Sequence, residues 1–498
     1  MLGTKAVVID NGSGWMKAGF AGDDMPRHVF PSVVGRPRHP GASNPAMGIL
    51  VGDEAIAKRG LLTLRYPIDQ GRLVDWDGME HLWRHAFTAL GVSPGNQPLL
   101  ITQFSLWSAK DVDRLIAIMF GTFGVPAIYV GGEAALTLLA LGKHTGAMIS
   151  IGDSQSRAAC VHAGVELPTS YHQIDEGGQH VTDYLRKIMT ERNYSFTTMA
   201  EREVVRDIRE KLCYIAADFR VEMEAAAASS ELERDYPLSD GGVVTLGNER
   251  FRAPEALFRP SLIGQQWEGI DKQVHGAIAH SPAELRNDLY GNILLAGGNA
   301  KIPGLAERMK RELTGLAPSG VDIRITVPQE PAYAAWKGGS LLASSSGFEH
   351  KLLKKEEYDE SGTAMLHATR EQEVRRILAP ATAGTSGARL QTILPHHLAS
   401  TLWFDDRAVG QVKLKNISDR AIAGPLHILF AGVPDMVYFQ SFSGTTRTDV
   451  ARGPYVTVPD TTSLAPGQSV VIRFQLLKGA SPITHAALTT EICIGGLD

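Results

Sequence analysis

A hydrophobic strand gives way to a glycine-rich turn in the stretch Ile9-Asp10-Asn11-Gly12-Ser13-Gly14-Trp15-Met16-Lys17-Ala18-Gly19-Phe20. The apolar residues that lead into it are largely β-branched and favour a buried strand. Gly12 and Gly14 let the backbone turn and bring N–H groups close to an anion. Ser13 adds a hydroxyl donor, and Lys17 adds a positive charge on the returning strand. The stretch predicts a β-hairpin that binds a phosphate group at its tip.

Asp10 needs a different explanation, because a carboxylate accepts hydrogen bonds and repels phosphate. We expect it to order the water around a Mg²⁺ ion that accompanies the phosphate groups. An ordinary hairpin turn at Asn11-Gly12, without any ligand, explains these residues about equally well. The hairpin alone therefore does not decide between a binding site and a plain turn.

Further segments follow the hairpin along the chain. Together they decide between a binding site and a plain turn. They are Ala21-Gly22-Asp23-Asp24-Met25-Pro26-Arg27-His28-Val29-Phe30-Pro31-Ser32-Val33-Val34-Gly35-Arg36-Pro37-Arg38-His39, Val51-Gly52-Asp53-Glu54-Ala55, Leu64-Arg65-Tyr66-Pro67-Ile68, Arg206-Asp207-Ile208-Arg209-Glu210-Lys211-Leu212-Cys213-Tyr214, Gly247-Asn248-Glu249-Arg250-Phe251-Arg252 and Glu357-Tyr358-Asp359-Glu360. With these segments the chain resembles actin over roughly residues 4 to 367. The resemblance implies an α/β fold, the two-lobed nucleotide-binding fold that actins share with heat-shock chaperones and sugar kinases.

A second strand, turn and strand of the same design lies further along the chain. The apolar run 147–151 leads into Gly152-Asp153-Ser154-Gln155-Ser156, and another apolar run, 158–161, follows. Two such hairpins that clamp one polyphosphate from opposite sides are the arrangement of this superfamily. The repeated design therefore supports a nucleotide cleft between two lobes.

Strands and helices alternate between the two hairpins. A stripe of apolar residues at helical spacing predicts a core helix that begins near Asp75. Strands at 98–102 and 127–130 alternate with a helix at 111–120 and a helix from Glu133. This order is typical of a layered α/β domain.

The composition is that of a soluble globular protein, with 498 residues of which 44% are hydrophobic. A net charge of −5 is small for this length and gives no reason to expect a nucleic-acid partner. Three scattered cysteines make no disulfide framework and favour a reducing cytoplasm. The longest apolar region, residues 125–141, is interrupted by Gly131, Gly132 and Glu133, so we expect no membrane span.

The composition changes after residue 370. Residues 379–387 are rich in Ala, Thr and Gly, which predicts a linker. The short alternating runs that follow predict an all-β sandwich domain that looks immunoglobulin-like or fibronectin-like and serves as a binding or spacing unit. We therefore expect an actin-like nucleotide-binding domain at 1–370, a linker at 371–388 and a β-sandwich domain at 389–498.

The resemblance to actin implies bound ATP or ADP with Mg²⁺. By motif, Asp10 would order the water around the metal ion, and Asp153 and Glu210 would bind the ribose. The other residues expected at the nucleotide are Ser13, Gly14 and Lys17 at the β- and γ-phosphates, Ser154 in the second phosphate loop, Arg209 beside Glu210, and Gly178, Gly297, Gly298, Lys301 and Ile302 around the base. Glu210 and Lys301 can also be explained as surface residues of a helix and a loop.

The residues expected around the γ-phosphate differ from those of actin. Glu133 stands where actin has a glutamine that orients the attacking water, and a carboxylate can accept a proton or hold the water there. Arg157 replaces a nearby histidine and has three open roles: to stabilise charge on the γ-phosphate, to point to solvent, or to pair with Glu133. Glu133 and Arg157 are the candidate catalytic residues. Further replacements are Ser150 for an aspartate near the metal, Ser154 for a glycine and Gln70 for a histidine of the phosphate-sensing loop.

Two functions of different classes fit these expectations. The first is a cytoplasmic, cytoskeletal protein that binds Mg-ATP, hydrolyses it slowly and self-associates into filaments. The second is an actin-related adaptor that binds nucleotide without polymerising and holds a protein partner through its C-terminal domain. The loop at residues 40–50 differs from the actin loop that contacts the next filament subunit.

Overall fold

The computed structural model describes residues 4–38, 48–69, 71–103 and 107–378, and beyond these only the strands of the C-terminal region. The chain divides into two units, Met1–Ile377 and Leu378–Asp498. Gln70, residues 40–47 of the loop at 40–50 and residues 379–388 of the predicted linker lie outside the described residues.

The first lobe begins the first unit. Its elements in chain order are β1 (Val7–Asp10), β2 (Trp15–Phe20), β3 (His28–Pro31), β4 (Val34–Pro37), β5 (Leu50–Val51), α1 (Gly52–Ala57), β6 (Leu62–Arg65), β7 (Ile68–Asp69), β8 (Arg72–Leu73), α2 (Trp76–Leu90), β9 (Leu99–Gln103), α3 (Ala109–Gly121), β10 (Ala127–Gly132) and α4 (Glu133–Leu139).

The second lobe follows, after which the chain returns to the first. The second lobe contains β11 (Gly146–Ile151), β12 (Ser156–His162), β13 (Val165–Glu166), β14 (His172–Ile174), α5 (Gly178–Met189), α6 (Met199–Leu212), α7 (Phe219–Ala228), β15 (Arg234–Pro237), β16 (Val243–Leu246), α8 (Glu249–Glu255), α9 (Ile270–Ala279), α10 (Arg286–Tyr290), β17 (Ile293–Ala296), α11 (Leu305–Leu316) and β18 (Ile325–Thr326). The returning elements are α12 (Ala334–Ala343), β19 (Leu353–Lys354), α13 (Lys355–Ser361) and α14 (Ala364–Leu378). No helix in the described ranges combines the length and apolarity needed to cross a bilayer.

Each lobe is built on one sheet, and the two sheets repeat one design. The first has the strand order β19-β10-β9-β1-β2-β3, and the second has the order β13-β12-β11-β17-β18 with β14 beside β12. In each, an antiparallel hairpin, β1–β2 or β11–β12, lies beside parallel strands. The repeated strand-turn-strand unit predicted from the sequence is confirmed.

Helix α2 shows how local sequence sets these elements. The Asp75 side chain accepts a hydrogen bond from the Gly78 N–H and caps the helix start. Gly91 ends the helix in the left-handed conformation with φ 69°. The apolar stripe faces the core of the first lobe, where Trp83 is fully buried. The predicted core helix is thus confirmed.

Two helices join the lobes. On α4, Leu136 packs in a cluster with residues of the first sheet, whereas Ala134 and Leu138 pack against the second sheet. Helix α12 lies against α4 at Gly338, where an added Cβ would overlap the Leu136 carbonyl oxygen. The Trp336 indole N–H on α12 donates to the β1 backbone at 3.0 Å. These two helices therefore form the joint about which the lobes meet.

The second unit is all β in the part that the structure describes. Its strands are β20 (Gln391–Thr392), β21 (Leu398–Phe404), β22 (Val409–Asn416), β23 (Ile422–Ala423), β24 (Leu426–Ala431), β25 (Tyr438–Ser441), β26 (Thr446–Asp449), β27 (Gly453–Thr457), β28 (Ser463–Leu464), β29 (Ser469–Leu477) and β30 (Thr489–Ile494). They form antiparallel sheets ordered β20-β30-β24-β27-β26 and β21-β22-β29-β25, and β23 pairs with β28. The sandwich arrangement of these sheets stays a prediction.

Candidate functional site

The tips of the two hairpins meet between the lobes. Asp10 pairs with Lys17 at the end of β1–β2, and Ile151 pairs with Ser156 at the end of β11–β12. The Ser13 and Ser154 hydroxyl oxygens, one from each tip, lie 2.9 Å apart. The sequence places these serines 141 positions apart, so the fold brings two local turns into one site.

A cavity of about 440 Å³ opens beside the two tips. Most of the residues predicted at the nucleotide line it, namely Asp10, Ser13, Gly14, Lys17, Glu133, Asp153, Arg157, Arg209, Glu210, Gly297, Gly298, Lys301 and Ile302. Ser154 and Gly178 are not among the lining residues. Ser154 contacts the lining through Ser13, and the Gly178 N–H donates to the Gly152 carbonyl at 3.0 Å.

Asp10 is held firmly at the floor of the cavity. Its side chain is only 8% exposed. One carboxylate oxygen accepts from the Lys17 ammonium at 2.9 Å, and the other accepts from the Thr102 hydroxyl at 2.9 Å. The ion pair offsets the cost of burying a carboxylate. A carboxylate fixed in this way keeps free lone pairs with which it can order water.

Glu133 and Arg157 form an ion pair at the cavity wall. Their carboxylate and guanidinium groups are 2.9 Å apart, and their side chains are 15% and 7% exposed. Of the three roles open to Arg157, the structure therefore has the pairing with Glu133. Arg157 also hydrogen-bonds Tyr171, whose pKa is raised because the phenol is buried. Each partner orients the other in a nearly dry setting.

Arg209 supplies an unsatisfied donor. It is 5% exposed, and its Nη2 donates to Glu210 at 2.8 Å, while its buried Nη1 has no hydrogen-bond partner among the residues that the structure describes. A buried unpaired N–H costs free energy unless a ligand or water completes it. Nη1 occupies the space that a Cβ of Gly178 would need, so glycine at this position makes room for the guanidinium. This orphaned donor fits a ligand with oxygen or nitrogen acceptors, such as a nucleoside.

The outer edge of the cavity carries ion pairs that reach solvent. Glu210 is 52% exposed and bonds Arg206 at 3.2 Å as well as Arg209. Lys301 is 51% exposed and pairs with Glu330 at 2.6 Å. Both residues line the cavity, yet both also behave as surface residues. Their roles toward a base or a ribose stay predictions.

Sequence reasoning missed several lining residues, among them Trp15, Arg206 and Asn299. The Arg206 guanidinium on α6 lies 5.7 Å from the centre of the Trp15 ring on β2, so this contact joins the two lobes. The Asn299 amide donates to the Gly152 carbonyl at 2.7 Å and ties the turn after β17 to the second hairpin. Trp15 directly follows the glycine-rich turn of the first hairpin, and Asn299 directly follows the glycine pair at 297–298. The position of each residue next to a predicted motif was the signal that could have identified it.

The comparison with protein families agrees with this geometry. A family model described as Actin matches residues 1–371, about three quarters of the chain. The match covers both hairpins, both joint helices and every predicted site residue. It ends inside α14, before the strands of the second unit. The chain therefore belongs to the actin family.

Proposed function

We propose that this chain binds ATP with Mg²⁺ in the cleft between its lobes, hydrolyses the ATP slowly and assembles into nucleotide-dependent filaments. The observation that carries the proposal is the meeting of two hairpin tips beside a 440 Å³ cavity lined by Arg209, whose buried Nη1 has no partner among the described residues. Family membership supports nucleotide binding and self-association.

The phosphate end of the cleft would use the first hairpin. Backbone N–H groups near Gly14 and the Ser13 hydroxyl donate to phosphate oxygens, and Lys17 adds positive charge. Asp10 would order the water around a Mg²⁺ ion, which when bound would offset part of the phosphate charge. The Ser13–Ser154 hydrogen bond would open as the hydroxyls turn toward the ligand.

The nucleoside end would use the second lobe. Asp153 and Glu210 accept hydrogen bonds from ribose hydroxyls, and Arg209 Nη1 donates to an acceptor on the nucleoside. Gly298 has open space where a Cβ would stand, which suits the close approach of a flat base. Lys301 and Ile302 would cover the base at the outer edge.

Hydrolysis would depend on Glu133. Arg157 holds one oxygen of the Glu133 carboxylate at 2.9 Å, and the other oxygen would position the attacking water or accept its proton. The Glu133→Gln variant keeps the size and the hydrogen-bonding oxygen but removes the base. We expect it to lower the single-turnover rate of ATP hydrolysis about 10² to 10³-fold. Equal rates for Glu133→Gln and wild type would rule out the base role, and a full rate in Glu133→Ala would remove the residue from the mechanism.

Nucleotide binding is tested most directly by thermal unfolding. Saturating ATP with Mg²⁺ should raise the midpoint temperature of the wild type, because a ligand that binds the folded state stabilises it. Asp10→Ala should lose most of the Mg²⁺-dependent part of this shift. Glu284→Gln, an exposed residue outside the cavity lining, is the control and should shift like wild type. The same midpoint with and without nucleotide in the wild type would contradict the proposal.

A further inference from the structure

Glu166 contacts the helix that carries Glu133, although it lies far from it in sequence. Its carboxylate oxygen Oε1 accepts from the Ala134 N–H at 2.8 Å and from the Ala135 N–H at 3.3 Å. These amides belong to the first turn of α4, where backbone N–H groups have no partner within the helix. A carboxylate at the start of a helix is favoured by charge-assisted hydrogen bonds and by the helix dipole. Glu166 therefore holds the first turn of α4.

Sheet geometry explains why Glu166 and Arg157 act on the same helix. Arg157 and Val161 are four residues apart on β12 and so face the same side of the sheet. Val161 packs in a cluster with α4 residues, and Glu166 on β13 lies directly opposite it. Glu166 thus binds the amides of the first turn, while Arg157 pairs with Glu133 in the same turn.

Gly132 leaves the room that this contact requires. A Cβ at position 132 would overlap the Glu166 Oε1 atom. The Gly132 backbone has φ −71° and ψ 136°, values that any residue adopts. Space for the Glu166 carboxylate, and not backbone conformation, is therefore what requires glycine here.

We propose that Glu166 is a positioning residue of the hydrolytic centre: by holding the first turn of α4, it keeps the Glu133 carboxylate against Arg157. The inference rests on the proposed hydrolysis of ATP. The contact also spans the joint, because β10 and the start of α4 continue the first lobe, whereas β13 belongs to the second sheet. A change in lobe angle would thus be passed directly to Glu133.

The test compares Glu166→Ala, Glu166→Gln and Gly132→Ala with wild type, by single-turnover ATP hydrolysis and by titration with ATP. Glu166→Ala should lower the rate of the chemical step about tenfold or more, since a small misplacement of a reacting group is costly. ATP affinity should stay within about twofold, because Glu166 is not among the cavity-lining residues. Glu166→Gln should restore most of the rate, because its amide oxygen accepts the same N–H bonds. Gly132→Ala should lower the rate and keep the ATP affinity to the same extent as Glu166→Ala.

A matched control exists in Glu357. It also accepts a backbone hydrogen bond at a helix start, from the Lys354 N–H at 3.1 Å, but on α13 away from the cavity. Glu357→Ala should hydrolyse ATP at the wild-type rate. In the Glu133→Gln background, Glu166→Ala should cause little further loss, since both changes act through one carboxylate.

The outcomes separate the inference from the function on which it rests. A wild-type rate in Glu166→Ala, or a loss of rate matched by an equal loss of affinity, overturns the positioning role and leaves the proposed function standing. Absence of hydrolysis in the wild type overturns the hydrolytic part of the proposed function. In that case amide hydrogen exchange decides the structural claim: exchange at residues 134 and 135 that is unchanged in Glu166→Ala overturns it.

Discussion

Glu176 is a carboxyl group that the fold closes off from solvent. It is 0% exposed, and one oxygen accepts from the Trp267 indole N–H at 3.0 Å. The other oxygen has no hydrogen-bond partner in the described part of the chain. Burial raises the pKa of Glu176 to about 7, and the Trp267 hydrogen bond opposes this only in part. The residue directly precedes Gly177 and Gly178, which contact the tip of the β11–β12 hairpin.

A pH-dependent loss of stability follows from Glu176. The pKa of Glu176 is higher in the folded chain than in the unfolded chain, where it is about 4.5. The contribution of the protonated group to folding stability is therefore complete below pH 4.5 and is lost as the pH rises through about 7. We expect this group to cost the wild type about 3 kcal/mol of unfolding free energy between those limits. Glu176→Gln should lack this loss.

Denaturant unfolding at pH 5 and pH 8 measures the effect. At pH 8 the unfolding free energy of Glu176→Gln, measured relative to that of wild type, should be larger than it is at pH 5. Glu307→Gln, an exposed residue on α11, should show no such change between the two pH values. The same difference at both pH values for Glu176→Gln would show that the carboxyl ionises normally in the folded protein.

At this scale the sequence predicts which residues line the site better than it predicts their partners. Ser13, Lys17 and Asp153 could be placed from local motifs, since a glycine-rich turn after a strand is readable within a few residues. The contacts of Glu166 and Arg209 could not, because they depend on which strands and helices become neighbours. No local pattern distinguishes Glu166 from any exposed glutamate after a turn.

Whole elements were predictable where one face carries a strong pattern. The apolar stripe predicts a core helix that begins near Asp75, and in the structure α2 begins at Trp76. Sheet order was not predictable from the residues, because β1 pairs with β9 across a long stretch of chain. Residues 371–378 of the predicted linker contain neither glycine nor proline, so the sequence allows a short helix there. The structure has this helix, because α14 extends to Leu378.

The contact between α4 and α12 gives a prediction at the scale of elements. Gly338 lies within α12 with the Leu136 carbonyl oxygen directly against it, so the extra methyl group of Gly338→Ala must push the helices apart. We expect a loss of about 3 kcal/mol of unfolding free energy. Because this contact lies at the joint, the variant should also bind ATP more weakly.

Gly315→Ala is the matched control for the joint. Gly315 also lies within a helix, α11, but an added Cβ there meets nothing within 4 Å. Its replacement should be neutral or should stabilise the protein by up to about 1 kcal/mol through helix propensity. Denaturant unfolding and an ATP titration check both variants. Equal unfolding free energies and equal ATP affinities for Gly338→Ala and Gly315→Ala would mean that α4 and α12 are not in tight contact in solution.

At the scale of the whole molecule, the question is what the second unit does to assembly. The family match ends at residue 371 and the first unit ends at Ile377. A truncated chain should therefore end at Leu378, which keeps α14 intact, and not at the earlier predicted boundary of 370. We expect this truncated chain to form nucleotide-dependent polymers at least as well as the full chain.

Light scattering and pelleting of both chains, with and without Mg-ATP and over a range of salt, measure assembly. Assembly by the full chain alone would mean that the second unit takes part in the filament contact. No assembly by either chain would contradict the filament proposal and favour the adaptor, which binds nucleotide and holds a partner through its C-terminal unit.

The contact of Trp15 with Arg206 has an optical consequence. The indole belongs to one lobe and the guanidinium to the other, and the guanidinium carbon lies 5.7 Å from the centre of the indole ring. Indole emission responds to a nearby cation and to water, so this tryptophan is a built-in fluorophore at the mouth of the cleft. Opening the lobes would separate the pair and expose the ring. The protein thus carries its own spectroscopic signal of lobe separation, and stopped-flow fluorescence can follow nucleotide entry without any attached dye.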